Sequence, residues 1–282
     1  MDPEKLKIKN HSGDIINTDL RYNKELKNIP LVIFCHGFKG FKDWGCFPYM
    51  MDKIAEAGNF AISFNFSYNG VGENDNDMSD FSRLERFADN TFSKELDDLG
   101  CVIDHFEKNK EKYNYDFENL ILIGHSRGGG IAILKAGEDK RIKKLITLAT
   151  VHTFWRYSEN LLKKWKEQGY FEVLNSRTNQ MMRQNYVLIE DLEKNRMRLD
   201  IESEMDKIRI PVMLIHGEQD ISVDYSSSDI LFNTGTKENK KLRLIPNAGH
   251  TFNCVHPFDG TTPQFEKAIE YVLEFISESN EN

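Results

Sequence analysis

Three residues of this chain have the types and settings of a nucleophile, a base and an orienting acid. The serine stands in Gly124-His125-Ser126-Arg127-Gly128, after the apolar run Leu120–Ile123 and before the helix-compatible Arg127–Ala136. A strand, a sharp turn and a helix in that order can present a strained serine hydroxyl above a sheet edge. Gly124 and Gly128 lack the side chains that would hold strand and helix apart. A serine hydroxyl is a weak nucleophile at neutral pH, so it needs a base, and the base needs an acid to orient it. The apolar run Val212–Ile215 leads through His216-Gly217 to Asp220, and Leu242–Ile245 leads through Ala248-Gly249 to His250. Ser126, Asp220 and His250 are therefore the candidate catalytic residues. Glu218 and Asp224 are rivals for the acid and His256 for the base, but Asp220 and His250 lie just past their strands, where a turn can aim them inward.

The oxyanion formed when such a serine attacks a carbonyl needs two preorganised donors. The backbone amide of Arg127, directly after the nucleophile, is one candidate. The Phe38 amide is the other, in the turn His36-Gly37-Phe38-Lys39-Gly40 that follows the strand Leu31–Cys35. His36, His125 and His216 sit beside strand-end glycines and read as hydrogen-bonded packing around the turns, not as metal ligands. The acidic loop from Gly72 to Asp80 has Asp80 where a calcium loop needs glycine and Arg86 where it needs the bidentate acid, so it reads as solvated. There is no glycine-rich phosphate loop, and the chemistry requires neither metal nor organic cofactor.

Elements at regular intervals must position these residues. The segment Leu6–Tyr22 reads as a hairpin turning at Ser12-Gly13. Unbroken apolar runs follow at Leu31–Cys35, Phe60–Phe66, Leu120–Ile123, Leu145–Ala149, Val212–Ile215 and Leu242–Ile245, as expected of parallel strands buried on both faces. Helical patterns at Phe47–Ala57, Thr91–Lys108, Arg127–Ala136, Ser226–Asn233 and Pro263–Ile276 alternate with them. The fold class is α/β, a mostly parallel central sheet covered by helices on both faces. Residues 152–206 break this rhythm and read as an inserted cap or lid. Within it Tyr157–Gln168 is helical, Phe171–Thr178 and Met181–Ile189 form a hairpin, and Glu190–Met205 is a charged helix. Phe154, Trp155 and Tyr157 are its candidate substrate-pocket residues.

Composition bounds the rest. At 282 residues, 39% hydrophobic and 11% aromatic, the chain suits one domain spanning 1–282. A net charge of −8 argues against nucleic acid as a partner. The charged start Met1-Asp2-Pro3-Glu4-Lys5 lacks the apolar core of a signal peptide, and no apolar run reaches the length of a membrane span. Cys35, Cys46, Cys101 and Cys254 have neither metal-ligand nor disulfide-framework spacing. Cytoplasmic residence is the expectation.

With these residues in place, the chain resembles the α/β-hydrolase superfamily over nearly its whole length, in which the chain order is serine, acid, histidine. Within that superfamily it resembles small bacterial serine esterases grouped near cinnamoyl and feruloyl esterases and dienelactone-hydrolase-like proteins. The motifs that carry the likeness are His36-Gly37-Phe38, the loop Phe64–Gly72, Gly124–Gly129, His216 through Asp220, and Ala248-Gly249-His250. The resemblance implies hydrolysis of a small-molecule carboxylic ester by the triad Ser126, Asp220 and His250, with an oxyanion hole at Phe38 and Arg127 and a cap over the acyl or alcohol pocket. Dienelactone hydrolases proper use a cysteine where this chain has Ser126. Three alternatives stand beside this reading: a serine peptidase of the prolyl-oligopeptidase or aminopeptidase type, a thioesterase, and a non-catalytic ligand-binding protein on the same fold.

Overall fold

Apolar side chains alternate across the strand that leads to Ser126. In the computed structural model, which describes residues 1–74, 81–175 and 179–278, Leu120 and Leu122 belong to one core, while Ile121 and Ile123 belong to another. The neighbouring strand does the same, with Leu31, Ile33 and Cys35 in the first core and Val32 and Phe34 in the second. Side chains of period two buried on both faces are what a central parallel strand requires.

Ten strands are present among the described residues: β1 (Glu4–Lys9), β2 (Ile15–Arg21), β3 (Ile29–Cys35), β4 (Phe60–Phe64), β5 (Tyr115–His125), β6 (Ile142–Leu148), β7 (Tyr170–Asn175), β8 (Gln180–Asn185), β9 (Val212–Gly217) and β10 (Lys240–Ile245). Eight form one sheet in the order β1-β2-β4-β3-β5-β6-β9-β10, and β7 pairs with β8 alone. Only β1–β2 and β2–β4 are antiparallel within the large sheet. Parallel register aligns the strand ends: Cys35 is opposite Gly124, His125 opposite Leu148, Leu148 opposite Ile215, and Gly217 opposite Ile245. The loops carrying Phe38, Ser126, Asp220 and His250 consequently leave the sheet along one edge.

Helices α1 (Phe47–Glu56), α2 (Leu84–Ala88), α3 (Phe92–Lys108), α4 (Arg127–Glu138), α5 (Glu159–Gln168), α6 (Val187–Lys194), α7 (Ile201–Lys207), α8 (Ser226–Asn233) and α9 (Pro263–Ser277) complete the structure. The core on one face packs α1 and α9, and the core on the other packs α3 and α4. The helix ends follow capping chemistry. Thr91 accepts from Lys94 N and Thr262 from Phe265 N, with Pro263 opening the helix after Thr262.

The segment between β6 and β9 differs from the sequence expectation in two places. The hairpin ends at Asn185 and Val187–Lys194 is helical, because Leu188, Ile189 and Leu192 bury one face at helical spacing. The single charged helix expected over Glu190–Met205 is two helices. The break comes where Asp200 caps a new helix, accepting from Ser203 N. Residues 176–178 of the expected hairpin, and 75–80 of the acidic loop, lie outside the described residues. Trp165 is buried among the rings of Tyr157, Phe171 and Tyr186. α7 packs directly on α4, where a Cβ at Gly130 would lie 2.7 Å from Ile201 Cδ1.

Candidate active site

Ser126 holds the turn between β5 and α4 with φ 55° and ψ −120°, a conformation that L-residues rarely adopt. Bare glycines on either side make the turn possible. A Cβ at Gly124 would lie 2.4 Å from Gly128 O, and one at Gly128 would lie 2.3 Å from His36 O. The constraint presents the Ser126 hydroxyl to His250, whose Nε2 lies 3.0 Å from Oγ. His250 Nδ1 lies 2.7 Å from Asp220 Oδ2. The turns after β5, β9 and β10 thus bring together the three residues picked out from their positions at strand ends.

The carboxylate of Asp220 is buried and fully engaged. Oδ1 accepts from the amides of Ser222 and Val223, at 2.8 and 2.9 Å. Oδ2 meets His250 and also His216 Nε2, the latter at 3.2 Å. Burial pushes this carboxyl upward, but hydrogen bonds from His216 and His250 outweigh it and hold it below the usual carboxylate range. His216 Nε2 also faces Val223 O at 2.9 Å, so that nitrogen carries the proton. His216 Nδ1 takes the Ser228 hydroxyl at 2.7 Å. His125 is wedged behind the base, its Nε2 2.9 Å from the carbonyl of His250. Burial and the neighbouring His250 lower it to about 3, so it stays a neutral hydrogen-bond donor to that carbonyl.

The rivals are otherwise occupied. His256 Nδ1 accepts from Gly45 N at 2.7 Å and its ring stacks on Trp44. Asp224 accepts from Ser226 N, two residues along, and Glu218 is exposed.

The amides of Phe38 and Arg127 have no protein acceptor among the described residues. His36 orients the first of them. Its Nδ1 lies 2.9 Å from Gly37 O, which also accepts from Gly40 N at 3.0 Å. A planar trans peptide points the Phe38 N–H opposite to the Gly37 carbonyl, so fixing one fixes the other. His36 Nε2 in turn accepts from Phe66 N at 3.3 Å. Burial lowers this ring to about 4 and keeps it neutral, as the two roles require. The structure thus gives the hydrogen-bonded turn histidines specific duties. The recurrence of His-Gly at two strand ends, 36–37 and 216–217, was the signal for them.

Two cavities meet at Ser126 and His250. One, of about 430 Å³, is walled by Phe92, Phe154 and Tyr157 and bordered by Arg127, Arg156 and Lys39. The other, of about 740 Å³, runs past Trp44, Phe47 and His256. Phe154 stacks on Phe92 with centroids 3.9 Å apart. Trp155 corrects the expected pocket wall: it lines neither cavity, is 39% exposed and faces Arg196. Its neighbours Phe154 and Tyr157 take up the inward positions. The sequence reading passed over Lys39 and Arg156, because single basic residues in loops carry no pattern. Among the described residues no group of three or more His, Cys, Asp or Glu could hold a metal ion, and no helix is long and apolar enough to cross a membrane.

Known proteins resemble this chain in part of its sequence and in fold. The chain is 31% identical over 118 residues to an uncharacterized 31.7 kDa protein of the traX-finO intergenic region of Escherichia coli, a match covering 42% of this chain and 36% of that protein. It is 28% identical over 87 residues to monoacylglycerol lipase ABHD6 of Rattus norvegicus, covering 31% of this chain and 23% of that one. The chain thus matches about a third or less of the length of these relatives. The structure of Est1E from Butyrivibrio proteoclasticus with ferulic acid bound superposes with a TM-score of 0.71 at 22% identity, covering 96% of this chain and 97% of that one. The BD-FAE family model matches residues 19–234, more than half of the chain, and the chain belongs to this family.

Proposed function

We propose that this chain is a serine carboxylesterase that works through an acyl-enzyme. The observation that carries the reading is the unbroken hydrogen-bonded line Ser126–His250–Asp220 at the junction of two cavities. His250 Nε2 takes the hydroxyl proton as Ser126 Oγ attacks the ester carbonyl. Asp220 keeps the His250 proton on Nδ1 and stabilises the imidazolium. The oxyanion settles between the amides of Phe38 and Arg127. His250 then gives its proton to the departing alcohol. Water, deprotonated by the same nitrogen, releases the acid and restores Ser126.

Two cavities suit the two halves of an ester, one for the acyl group and one for the alcohol. Phe38, Phe92, Phe154 and Tyr157 offer aromatic faces to the first half, and the ferulic acid bound by Est1E is an aromatic acid of fitting size. Residues 152–206 supply Phe154, Arg156 and Tyr157 and act as a cap. An exopeptidase reading fits poorly, because a substrate ammonium needs acidic side chains and the cavity wall carries basic ones.

A fluorophosphonate probe tests the proposal. One adduct by intact mass, absent from Ser126→Ala, together with turnover of phenyl esters and methyl ferulate, supports it. An unlabelled wild-type protein that turns over no ester refutes it.

A further inference from the structure

The chain is acidic overall, with a net charge of −8, yet the cavity that holds Ser126 has a basic wall. Among its lining residues Lys39, Arg127 and Arg156 are cationic and none is Asp or Glu. Arg127 is already matched: its guanidinium lies 3.4 Å from Glu95 Oε1 and packs on the rings of Phe38 and Phe92. The other two are not. Arg156 Nη2 donates to Ser222 O at 2.7 Å, and Lys39 Nζ donates to Leu174 O at 3.3 Å. Both partners are neutral carbonyls, and among the described residues no carboxylate lies within ion-pair distance of either cation.

Both stand at the cavity rim, Arg156 exposed and Lys39 half-buried. Partial desolvation at the rim, with Arg127 nearby, pulls Arg156 below its ordinary value, and partial burial does the same to Lys39. An anion in the cavity would give both a charged partner. The Ser222 carbonyl that holds Arg156 belongs to the loop whose amides hold Asp220, so the guanidinium is anchored to the catalytic frame while one N–H is used and four remain. A guanidinium matches a carboxylate by two parallel hydrogen bonds. The second cavity has Lys39 as its one Lys, Arg, Asp or Glu among the described residues, and is otherwise walled by groups such as Trp44 and Phe47. The two lobes are therefore unlike in charge.

We propose that the ester taken by this site carries a second, uncleaved carboxylate, seated on Arg156 with Lys39 beside it, on the half of the substrate that fills the Phe92–Tyr157 lobe. The proposal rests on the esterase reading and names its substrate class.

Three esters test it. Phenyl hexanoate is the neutral reference, phenyl hydrogen glutarate puts a carboxylate on the acyl side, and 4-(hexanoyloxy)benzoate puts one on the alcohol side. The expected result is that kcat/KM for one of the anionic esters, relative to phenyl hexanoate, falls at least tenfold in Arg156→Gln and is partly kept in Arg156→Lys. Ratios for both anionic esters that stay within twofold of wild type in Arg156→Gln overturn the proposal. Calorimetry with Ser126→Ala and Ser126→Ala/Arg156→Gln reads the same ratios as binding, with no turnover required. A serine that is unlabelled and idle, while Ser126→Ala still prefers the anionic ester through Arg156, sinks the esterase reading alone. Active wild type, with binding ratios indifferent to Arg156, sinks the carboxylate seat alone.

Discussion

His216 Nε2 lies 3.2 Å from Asp220 Oδ2, the same oxygen that orients His250. Asp220 is thus held from behind by a wholly buried imidazole, whose own place is set by Ser228 and Val223. A hydrogen bond to a charged group contributes about 1.5–3 kcal/mol. His216→Ala is expected to lower kcat roughly 10–100-fold with little change in KM, because His216 orients the acid and does not line either cavity. Steady-state kinetics on phenyl hexanoate, with folding checked by circular dichroism, reads this. A raised KM with unaltered kcat would count against the positioning role.

His36 ties the proposed oxyanion hole to pH. Its ring must donate to Gly37 O and accept from Phe66 N, which only the neutral form can do. Burial lowers it to about 4 from an unfolded value near 6.5. A folded value below the unfolded one means that the unfolded chain binds more protons between them. The stability contributed by neutral His36 is therefore complete above about pH 6.5 and is lost as pH falls through about 4. His36→Gln should flatten the decline in unfolding free energy over that window. It should also lower kcat by up to roughly 10²-fold, since the Phe38 amide loses its guide. Urea titrations at several pH values and kinetics near neutral pH check the two effects.

Gly128 faces the strand-end carbonyls so closely that a methyl group has no room: its Cβ would lie 2.3 Å from His36 O and 2.5 Å from Cys35 O. Both neighbours are backbone, which cannot swing aside. Gly128→Ala should therefore push α4 from β3, misplacing Ser126 and lowering the melting temperature by several degrees, as about 1–3 kcal/mol of overpacking implies. Wild-type melting and activity in this variant would contradict the tight elbow.

The triad was legible because each member follows an apolar strand run, and parallel register carries such strand ends to one edge. The same logic picked out the Phe38 and Arg127 amides as candidate donors. Side-chain direction was not legible. Trp155 lies between Phe154 and Tyr157 in sequence, yet it faces solvent while they face the cavity, since inward and outward in an irregular loop follow no period. The first turn of the helix Val187–Lys194 reads as strand because Tyr186, Val187 and Ile189 are aromatic or β-branched, as a strand would be. Tertiary burial of Leu188, Ile189 and Leu192 decided it. The charges of Lys39 and Arg156 were visible, but that they meet at one cavity mouth is a property of the fold alone.

Asp98 gives a last, opposite pH dependence. It is a buried carboxyl on α3 that accepts from Asn10 Nδ2 at 2.8 Å and from Ser67 N at 2.7 Å, beside the loop whose Phe66 amide reaches His36. Burial raises it to about 6 from 3.8, even though the hydrogen bonds from Asn10 and Ser67 oppose the rise. Here the folded chain binds the extra proton, so the contribution is present below the unfolded value and lost as pH climbs through about 6. The difference is on the order of 3 kcal/mol between about pH 3.5 and pH 7. Asp98→Asn has no proton to lose at this position. Its unfolding free energy minus that of wild type should therefore increase by about that amount as pH is raised from about 4 to 7, whatever the absolute stability of the variant. Paired urea titrations at those pH values measure the difference directly, and two curves that run parallel would show that Asp98 ionises freely in the folded protein.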